Sequence, residues 1–169
     1  MKTNNENPVQ NEQDTFNKPD DLRTNPLLPY PESSLLVAMA ETAWAGNLKS
    51  VKIEFSLSDR LKAKLTELLG KEIHKIFITD SDVRHIKRRH GQNEERRGQI
   101  DITPADFAFI PVILNEYDTA RQIGEDKRGN KKLEFTKKIE GKFYLVSIEK
   151  GNNQIGIITL WKIKARLGV

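Results

Sequence analysis

The chain has 169 residues, no cysteine, 37% hydrophobic residues and a formal net charge of +4. This length suits one ordinary domain plus a tail. The lack of cysteine excludes a disulfide scaffold, cysteine–zinc sites and thiol catalysis, and it is typical of a reducing compartment. The longest apolar run, residues 34–46, is interrupted by Glu41 and is too short to cross a membrane. We therefore expect a cytoplasmic protein with no membrane partner.

The charge is unevenly distributed along the chain. Residues 1–33 contain three basic and six acidic side chains, so their net charge is −3 and the remaining residues carry +7. The same segment is rich in Asn, Gln, Asp, Glu and Pro and cannot bury enough apolar surface to offset its ordering entropy. We predict a disordered or extended acidic arm over residues 1–33. A basic body suits a polyanionic partner, and the charge of the arm would allow it to lie over a basic groove.

A short helix and a linker are predicted for residues 34–50, before a nuclease-like domain over residues 51–169. Four large apolar side chains of the helix are available for burial, namely Leu35, Leu36, Met39 and Trp44. We interpret the helix as a docking element that covers part of the core. A helix that binds a partner is the alternative.

Two strands and a helix are predicted next. Apolar and polar side chains alternate over residues 51–57, which is typical of a half-buried strand. Ser58 is a suitable N-cap for a helix over residues 59–69, and Gly70 is a suitable stop. Residues 74–79 are predicted to form a second strand.

The segment DSDVRHIKRRHG, residues 80–91, contains two of the three histidines in the chain. Asp80 or Ser81 is expected to cap a helix here, and Gly91 is expected to end it. Spacings of three and four residues predict an apolar side formed by Val83, Ile86 and His90.

A histidine at a helix C-terminus lies beside unpaired carbonyl groups, which favour its protonated form. Among several arginines, such a group suits phosphodiester cleavage, which needs proton transfer and stabilised phosphate charge. A solvated basic helix end is the alternative. Since about 140° of helix rotation separates His85 from His90, we take His90 as the first catalytic candidate and His85 as the second. Their spacing of five residues argues against a zinc site, and we expect no metal and no cofactor.

The C-terminal half changes from helix to strand. Residues 91–99 are predicted to form a polar loop, Thr103 and Pro104 to start a helix, and Pro111 to start another short one. Three strand-like runs follow at residues 131–139, 142–150 and 154–163, with a shorter one near residues 121–124. This order predicts an α+β fold in which helices pack on one face of an antiparallel β-meander.

Charged and aromatic residues on these strands give further site candidates. Alternation places Lys132, Glu134, Thr136 and Lys138 on one face, which is either part of a site or a solvated sheet face. Thr159 and Trp161 share a face of the last strand. The tryptophan is either a core residue or a platform on which a base stacks.

The order of these segments resembles the phage-encoded Barnase–EndoU–Colicin–RelE-like nuclease family over roughly residues 74–164. The likeness lies in ITDSDVRHIKRRHG, then GQIDITPADFAFIPVILN, then the strands KKLEFTKKI, KFYLVSIEK and QIGIITLWKIK. The resemblance implies a small, metal-independent α+β ribonuclease of the kind found in phage head-associated proteins and polymorphic toxins. It implies acid/base catalysis by His90 with His85, phosphate contact by Lys131 or Lys132, and Thr159 at the site.

We expect the catalytic residues to be His90, His85, Lys132 and Thr159, and the substrate-binding residues to be Arg88, Arg89, Lys131, Glu134, Trp161 and Lys162. The leading hypothesis is an endoribonuclease that cleaves RNA, such as transfer RNA, by 2′-hydroxyl attack. It would be a phage-derived or polymorphic-toxin effector, virion-associated or delivered into a target-cell cytoplasm, with an inhibitor, an immunity protein or a phage head component as a further partner. The alternative is an inactive RNA-binding or phage-assembly module of the same fold.

Overall fold

The structure is a computed structural model that describes residues 30–47 and 50–165. Most of the predicted acidic arm, residues 1–29, lies outside this part of the chain. No helix in the described part has the length and apolar character that a membrane span requires.

The described residues form an α+β fold, which confirms the predicted class. The α-helices are α1 Glu32–Trp44, α2 Asp59–Leu69, α3 Asp80–His90 and α4 Ile110–Asn115, and 3₁₀ helices cover Glu94–Arg97 and Pro104–Phe109. The strands are β1 Lys52–Phe55, β2 Lys75–Thr79, β3 Gln99–Ile100, β4 Thr119–Glu125, β5 Lys131–Lys138, β6 Lys142–Lys150 and β7 Gln154–Ile163.

All of these strands join one sheet in the order β1-β2-β7-β6-β5-β4, with β3 paired to β7. The antiparallel meander from β4 to β7 is as predicted. The sequence did not indicate that β2 pairs with β7 in parallel, from Lys75 opposite Gln154 to Phe77 opposite Gly156. Strand β7 therefore contacts β2, β3 and β6 and joins the two halves of the fold.

Helix α1 covers part of the core, in agreement with its predicted docking role. It packs against the Pro104–Phe109 3₁₀ helix, against α3 and against β1. Leu36 and Ala40 are fully buried. The predicted burial of Leu35 is wrong, because this side chain is 61% exposed. Consecutive helix positions differ by about 100°, so Leu35 faces outward when Leu36 faces the core.

The predicted signals at both ends of α2 are confirmed. The Ser58 hydroxyl accepts a hydrogen bond from the Leu61 amide at 3.1 Å. Gly70 adopts a left-handed conformation with φ of 75° after the last residue of the helix. A side chain at this φ would be strained, which is why glycine is preferred here.

The predicted N-cap of α3 is wrong by one residue. Thr79 caps the helix: its hydroxyl accepts from the Asp82 amide at 3.2 Å, and the Asp82 carboxylate accepts from the Thr79 amide at 2.9 Å. Asp80 is used elsewhere, since its carboxylate accepts from the Ser50 and Val51 amides and pairs with Arg84. The predicted end of the helix, at Gly91, is confirmed.

Glu149 connects the meander to the turn after α2. Its side chain is 10% exposed and accepts from the Lys131 amide at 2.6 Å and from the Lys71 ammonium at 2.9 Å. Burial tends to raise the pKa of this carboxyl, but the hydrogen bonds from Lys131 and Lys71 and their charges lower the pKa overall. A carboxyl with a lowered folded-state pKa stabilises the fold above its ordinary pKa and loses that effect as the pH falls through the folded value.

We predict that Glu149→Gln lowers the free energy of unfolding at pH 7 by about 1–3 kcal/mol, because hydrogen bonds to a charged acceptor are lost. The difference from wild type should shrink in acid, where the wild-type carboxyl is also neutral. Urea denaturation at neutral and acid pH measures both values. Glu67→Gln is the control, because Glu67 is 66% exposed and makes a surface pair with Lys64. An equal effect of both substitutions, or a constant difference across pH, would contradict the assignment.

Candidate functional site

A groove of about 560 Å³ lies between α3 and one face of the sheet. The residues that line it are Asp82, His85, Arg89, His90, Gln99, Ile123, Lys132, Val146, Ile158, Thr159 and Trp161. Six of the ten predicted site residues are therefore brought together, although they come from three elements separated along the chain.

Helix α3 presents His90 to the groove from its last turn. Val83 and Ile86 are fully buried, and His90, on the same side, is 7% exposed. This confirms the predicted apolar side of the helix. His85 also lines the groove, so the width of the groove accommodates both histidines despite their angular separation.

Glu94 holds the imidazole of His90. Its Oε2 atom lies 2.9 Å from Nδ1 of His90, and Glu94 is 1% exposed. Asn93, with φ of 60°, turns the chain after α3 into the Glu94–Arg97 3₁₀ helix. The Glu94 amide donates to a carboxylate oxygen of Asp101 at 2.9 Å. This turn fixes the position of the Glu94 carboxylate.

Glu94 is not among the predicted site residues, because the sequence of residues 91–99 predicts a polar loop. Two signals were available: an asparagine that tolerates the left-handed conformation, and a spacing of four residues between His90 and Glu94. The second signal was not used because Gly91 is a helix stop. Residues four apart are expected to lie on the same face only when the helix continues through both of them.

The contact determines which nitrogen of His90 is free. An ionised carboxylate can only accept hydrogen bonds, so Nδ1 of His90 must carry the hydrogen when Glu94 is ionised. In the neutral ring, Nε2 is then unprotonated and can accept a proton. The pair therefore presents the tautomer that a general base requires.

The Trp161 ring stacks beside the imidazole of His90. Its ring centroid lies 5.8 Å from that of His90 and 4.9 Å from that of Tyr144, which is almost parallel to it at 2°. Tyr144 is the partner of Trp161 on β6, whereas His90 belongs to α3, which packs against β7. Because Trp161 stacks with two rings of the protein, its geometry suits holding His90 in place better than stacking on a base.

Two β-bulges shape the floor of the groove. In β7, Val146 pairs with Thr159 and Ser147 pairs with Ile157, which leaves Ile158 unpaired. The bulge shifts the alternation by one residue, so Ile158 and Thr159 both line the groove. A second irregularity in β4 leaves Ile123 unpaired between Gln122 and Gly124, and Ile123 lines the groove as well. Bulges redirect side chains in this way at many functional sites.

Two buried polar atoms of groove residues have no hydrogen-bond partner within the described part of the chain. They are Oγ1 of Thr159 and Oε1 of Gln99. A buried polar atom without a partner costs about 1–3 kcal/mol of desolvation. A ligand that supplies the missing partners would recover this cost.

The groove also has cations without an ion-pair partner among the described residues. Neither Arg89 nor Lys132 forms an ion pair with any residue that the structure describes. The acidic residue of the lining, Asp82, is engaged with Thr79 in the helix cap. The arrangement suits an anionic ligand.

Two predicted binding residues of the meander lie outside the lining. The Glu134 carboxylate pairs with Arg121 at 3.0 Å, and Val146 separates it from Thr159 across the sheet. The Lys162 ammonium contacts both carboxylate oxygens of Asp106 at 2.8 and 2.9 Å. Lys162 follows Trp161 on β7 and points to the opposite face of the sheet.

The other two predicted binding residues that lie outside the lining are Arg88 and Lys131. Arg88 lines a different groove with Arg84, Lys87 and Gln92. Lys131 lies at the start of β5, where its amide donates to Glu149. The position of Arg88 follows from helix geometry, because it is about 160° from His90 around α3.

No group of three or more His, Asp or Glu side chains suited to a metal ion occurs in residues 30–47 and 50–165.

A family model described as phage-Barnase-EndoU-ColicinE5/D-RelE like nuclease3 matches residues 57–167. The searches of curated proteins and of solved structures gave no significant match. The matched segment contains every residue that lines the groove.

We predict that Glu94→Gln leaves His90 in a mixture of tautomers, because an amide can either donate to Nδ1 or accept from it. Replacing a charged acceptor by a neutral one should also lower the free energy of unfolding by about 1–3 kcal/mol. Ring ¹⁵N chemical shifts of the neutral histidine measure the tautomer. Glu95→Gln, at the exposed neighbouring position, should change neither quantity. An unchanged Nδ1–H tautomer in Glu94→Gln would show that Glu94 does not determine it.

Proposed function

The chain belongs to the phage-Barnase-EndoU-ColicinE5/D-RelE like nuclease3 family, and from this premise we propose that it is a metal-independent endoribonuclease. The observation that carries the proposal is the His90–Glu94 pair, buried at the end of a groove whose cations Arg89 and Lys132 have no carboxylate partner within the described residues. A histidine of fixed tautomer beside uncompensated positive charge suits proton transfer at a phosphodiester.

In the proposed reaction, Nε2 of His90 removes the proton from a ribose 2′-hydroxyl. The 2′-oxygen attacks the adjacent phosphorus, and the bond from phosphorus to the 5′-oxygen of the next nucleotide breaks. Protonated His85 donates a proton to that leaving oxygen. The products are a 2′,3′-cyclic phosphate and a free 5′-hydroxyl, so RNA is required as the substrate.

The remaining groove residues would stabilise the charge that develops on phosphorus. Lys132 and Arg89 would contact the non-bridging phosphate oxygens, and the Thr159 hydroxyl would donate a hydrogen bond to one of them. The side-chain oxygen Oε1 of Gln99 would accept a hydrogen bond from a hydroxyl or amino group of the substrate. These contacts would supply the partners that Oγ1 of Thr159 and Oε1 of Gln99 lack among the described residues. Transfer RNA is one substrate that such a site would accept.

We expect His90→Ala to reduce RNA cleavage in EDTA by roughly 10²–10⁴-fold, the range for loss of a general acid or base. His74→Ala is the matched control, because His74 is exposed and does not line the groove. Mass spectrometry of the cleaved RNA should show cyclic-phosphate ends with the wild type and with His74→Ala. Inhibition of the wild type by EDTA would contradict metal independence.

A different result would support the inactive RNA-binding or assembly module. In that case the wild type binds RNA in a salt-dependent manner without cleaving it, and His90→Ala leaves the affinity unchanged. Equal losses of activity in His90→Ala and His74→Ala would show that neither reports on catalysis.

Thr159→Val separates activity from stability. Valine keeps the shape of the side chain and removes a hydroxyl that has no partner among the described residues. We predict that the free energy of unfolding stays equal or rises by up to about 1 kcal/mol, while kcat falls by about 10-fold or more, as for loss of a donor to a charged transition state. Thermal denaturation and single-turnover cleavage measure the two effects. A destabilised variant with full activity would overturn the role of Thr159.

A further inference from the structure

We propose that a second groove on the same sheet face binds a further phosphate of the RNA strand. This lysine groove, of about 590 Å³, is lined by Lys138, Glu140, Gly141, Lys142, Tyr144, Ile163, Lys164 and Ala165. The inference rests on the proposed function and extends it: the substrate is a single-stranded segment that reaches beyond the cleaved bond.

The register of the sheet places the two grooves next to each other. Thr136, Tyr144 and Trp161 form one row across β5, β6 and β7, and Lys138, Lys142 and Ile163 form the next row on the same face. Adjacent rows on one face lie two residues apart, or about 7 Å. Trp161 belongs to the catalytic groove and Tyr144 to the lysine groove, so the Trp161–Tyr144 stack is their common boundary.

The lysine groove has three ammonium groups without an ion-pair partner among the described residues. None of Lys138, Lys142 and Lys164 forms an ion pair with a described residue. Lys138 and Lys142 are also directly opposite each other in the β5–β6 register. Like charges in this position destabilise a sheet. Glu140 is the acidic residue of the lining, at the tip of the turn between these strands. Bound phosphate would remove the repulsion.

Tyr144 suits the path of a nucleotide between the grooves. It is half-buried, stacks on Trp161, and has the Lys142 ammonium 5.0 Å from its ring centroid. Aromatic rings beside cations are the usual recognition surface for unpaired bases and their phosphates. A partly exposed aromatic ring can stack on an unpaired base, whereas double-stranded RNA is recognised mainly by its shape, so this surface favours a single strand.

The test compares Lys138→Gln/Lys142→Gln with Lys62→Gln/Lys127→Gln, a control that removes two exposed lysines elsewhere. The probe is a fluorescent 2′-O-methyl octanucleotide, which lacks the attacking hydroxyl, and its affinity is measured by anisotropy over a series of salt concentrations. We expect the groove variant to bind about 10-fold more weakly and its salt slope to fall by about 1.4, from roughly 0.7 per phosphate contact. An affinity and slope equal to those of the control variant would overturn the inference.

Cleavage of a short and a long RNA distinguishes failure of this inference from failure of the proposed function. For the groove variant, kcat/KM should be unchanged with a dinucleotide, which occupies the catalytic groove alone, and reduced about 10-fold with a cleavable octanucleotide. Equal loss on both substrates would overturn the second site. If the wild type cleaves neither substrate but the binding difference is present, the lysine groove stands and the catalytic proposal falls. The groove variant should melt at the same temperature as the wild type or higher, because a repulsive pair is removed.

Discussion

The parallel pairing of β2 with β7 is the constraint on which the site depends. Helix α3 begins directly after β2 and carries both groove histidines, whereas β7 carries Thr159 and Trp161. This pairing, together with the direct packing of α3 on β7, brings the two sets of side chains together. Gly156 permits it at one point, since a Cβ atom there would lie 3.3 Å from the ring of Phe77 and 3.0 Å from the side chain of Lys150.

The groove contains features that cost stability in the free protein. A buried histidine–carboxylate pair loses hydration that its mutual attraction only partly returns. Thr159 and Gln99 each bury an atom without a partner among the described residues, and Lys138 faces Lys142 across two strands. These costs are concentrated on one face of the sheet, while the opposite face packs Phe135 and Leu145 at full burial. Proteins tolerate such local conflicts mainly where a ligand relieves them.

Much of the fold was predictable because its signals are local. Ser58 and Gly70 bound a helix through contacts within one turn, and the meander strands alternate residue by residue. The same local reasoning placed His90 on the buried side of α3. It failed where a side chain binds groups that are distant in the sequence. The Asp80 carboxylate accepts hydrogen bonds from the Ser50 and Val51 amides, so Thr79 caps α3 instead. The predicted burial of Leu35 was wrong for a similar reason, since the orientation in which α1 packs decides which of its apolar residues are buried.

The sequence by itself determined the α-helices, the antiparallel meander and some of the residues that line the groove, because each of these signals depends on chain neighbours a few residues apart. The tertiary structure decided which of those residues meet. The bulge at Ile158 turned Thr159 and Trp161 toward the groove and Lys162 toward Asp106, and the turn at Asn93 brought Glu94 under His90. A one-residue shift in strand register reverses where every following side chain of the strand points, and the contacts that stabilise the register lie far away in the sequence.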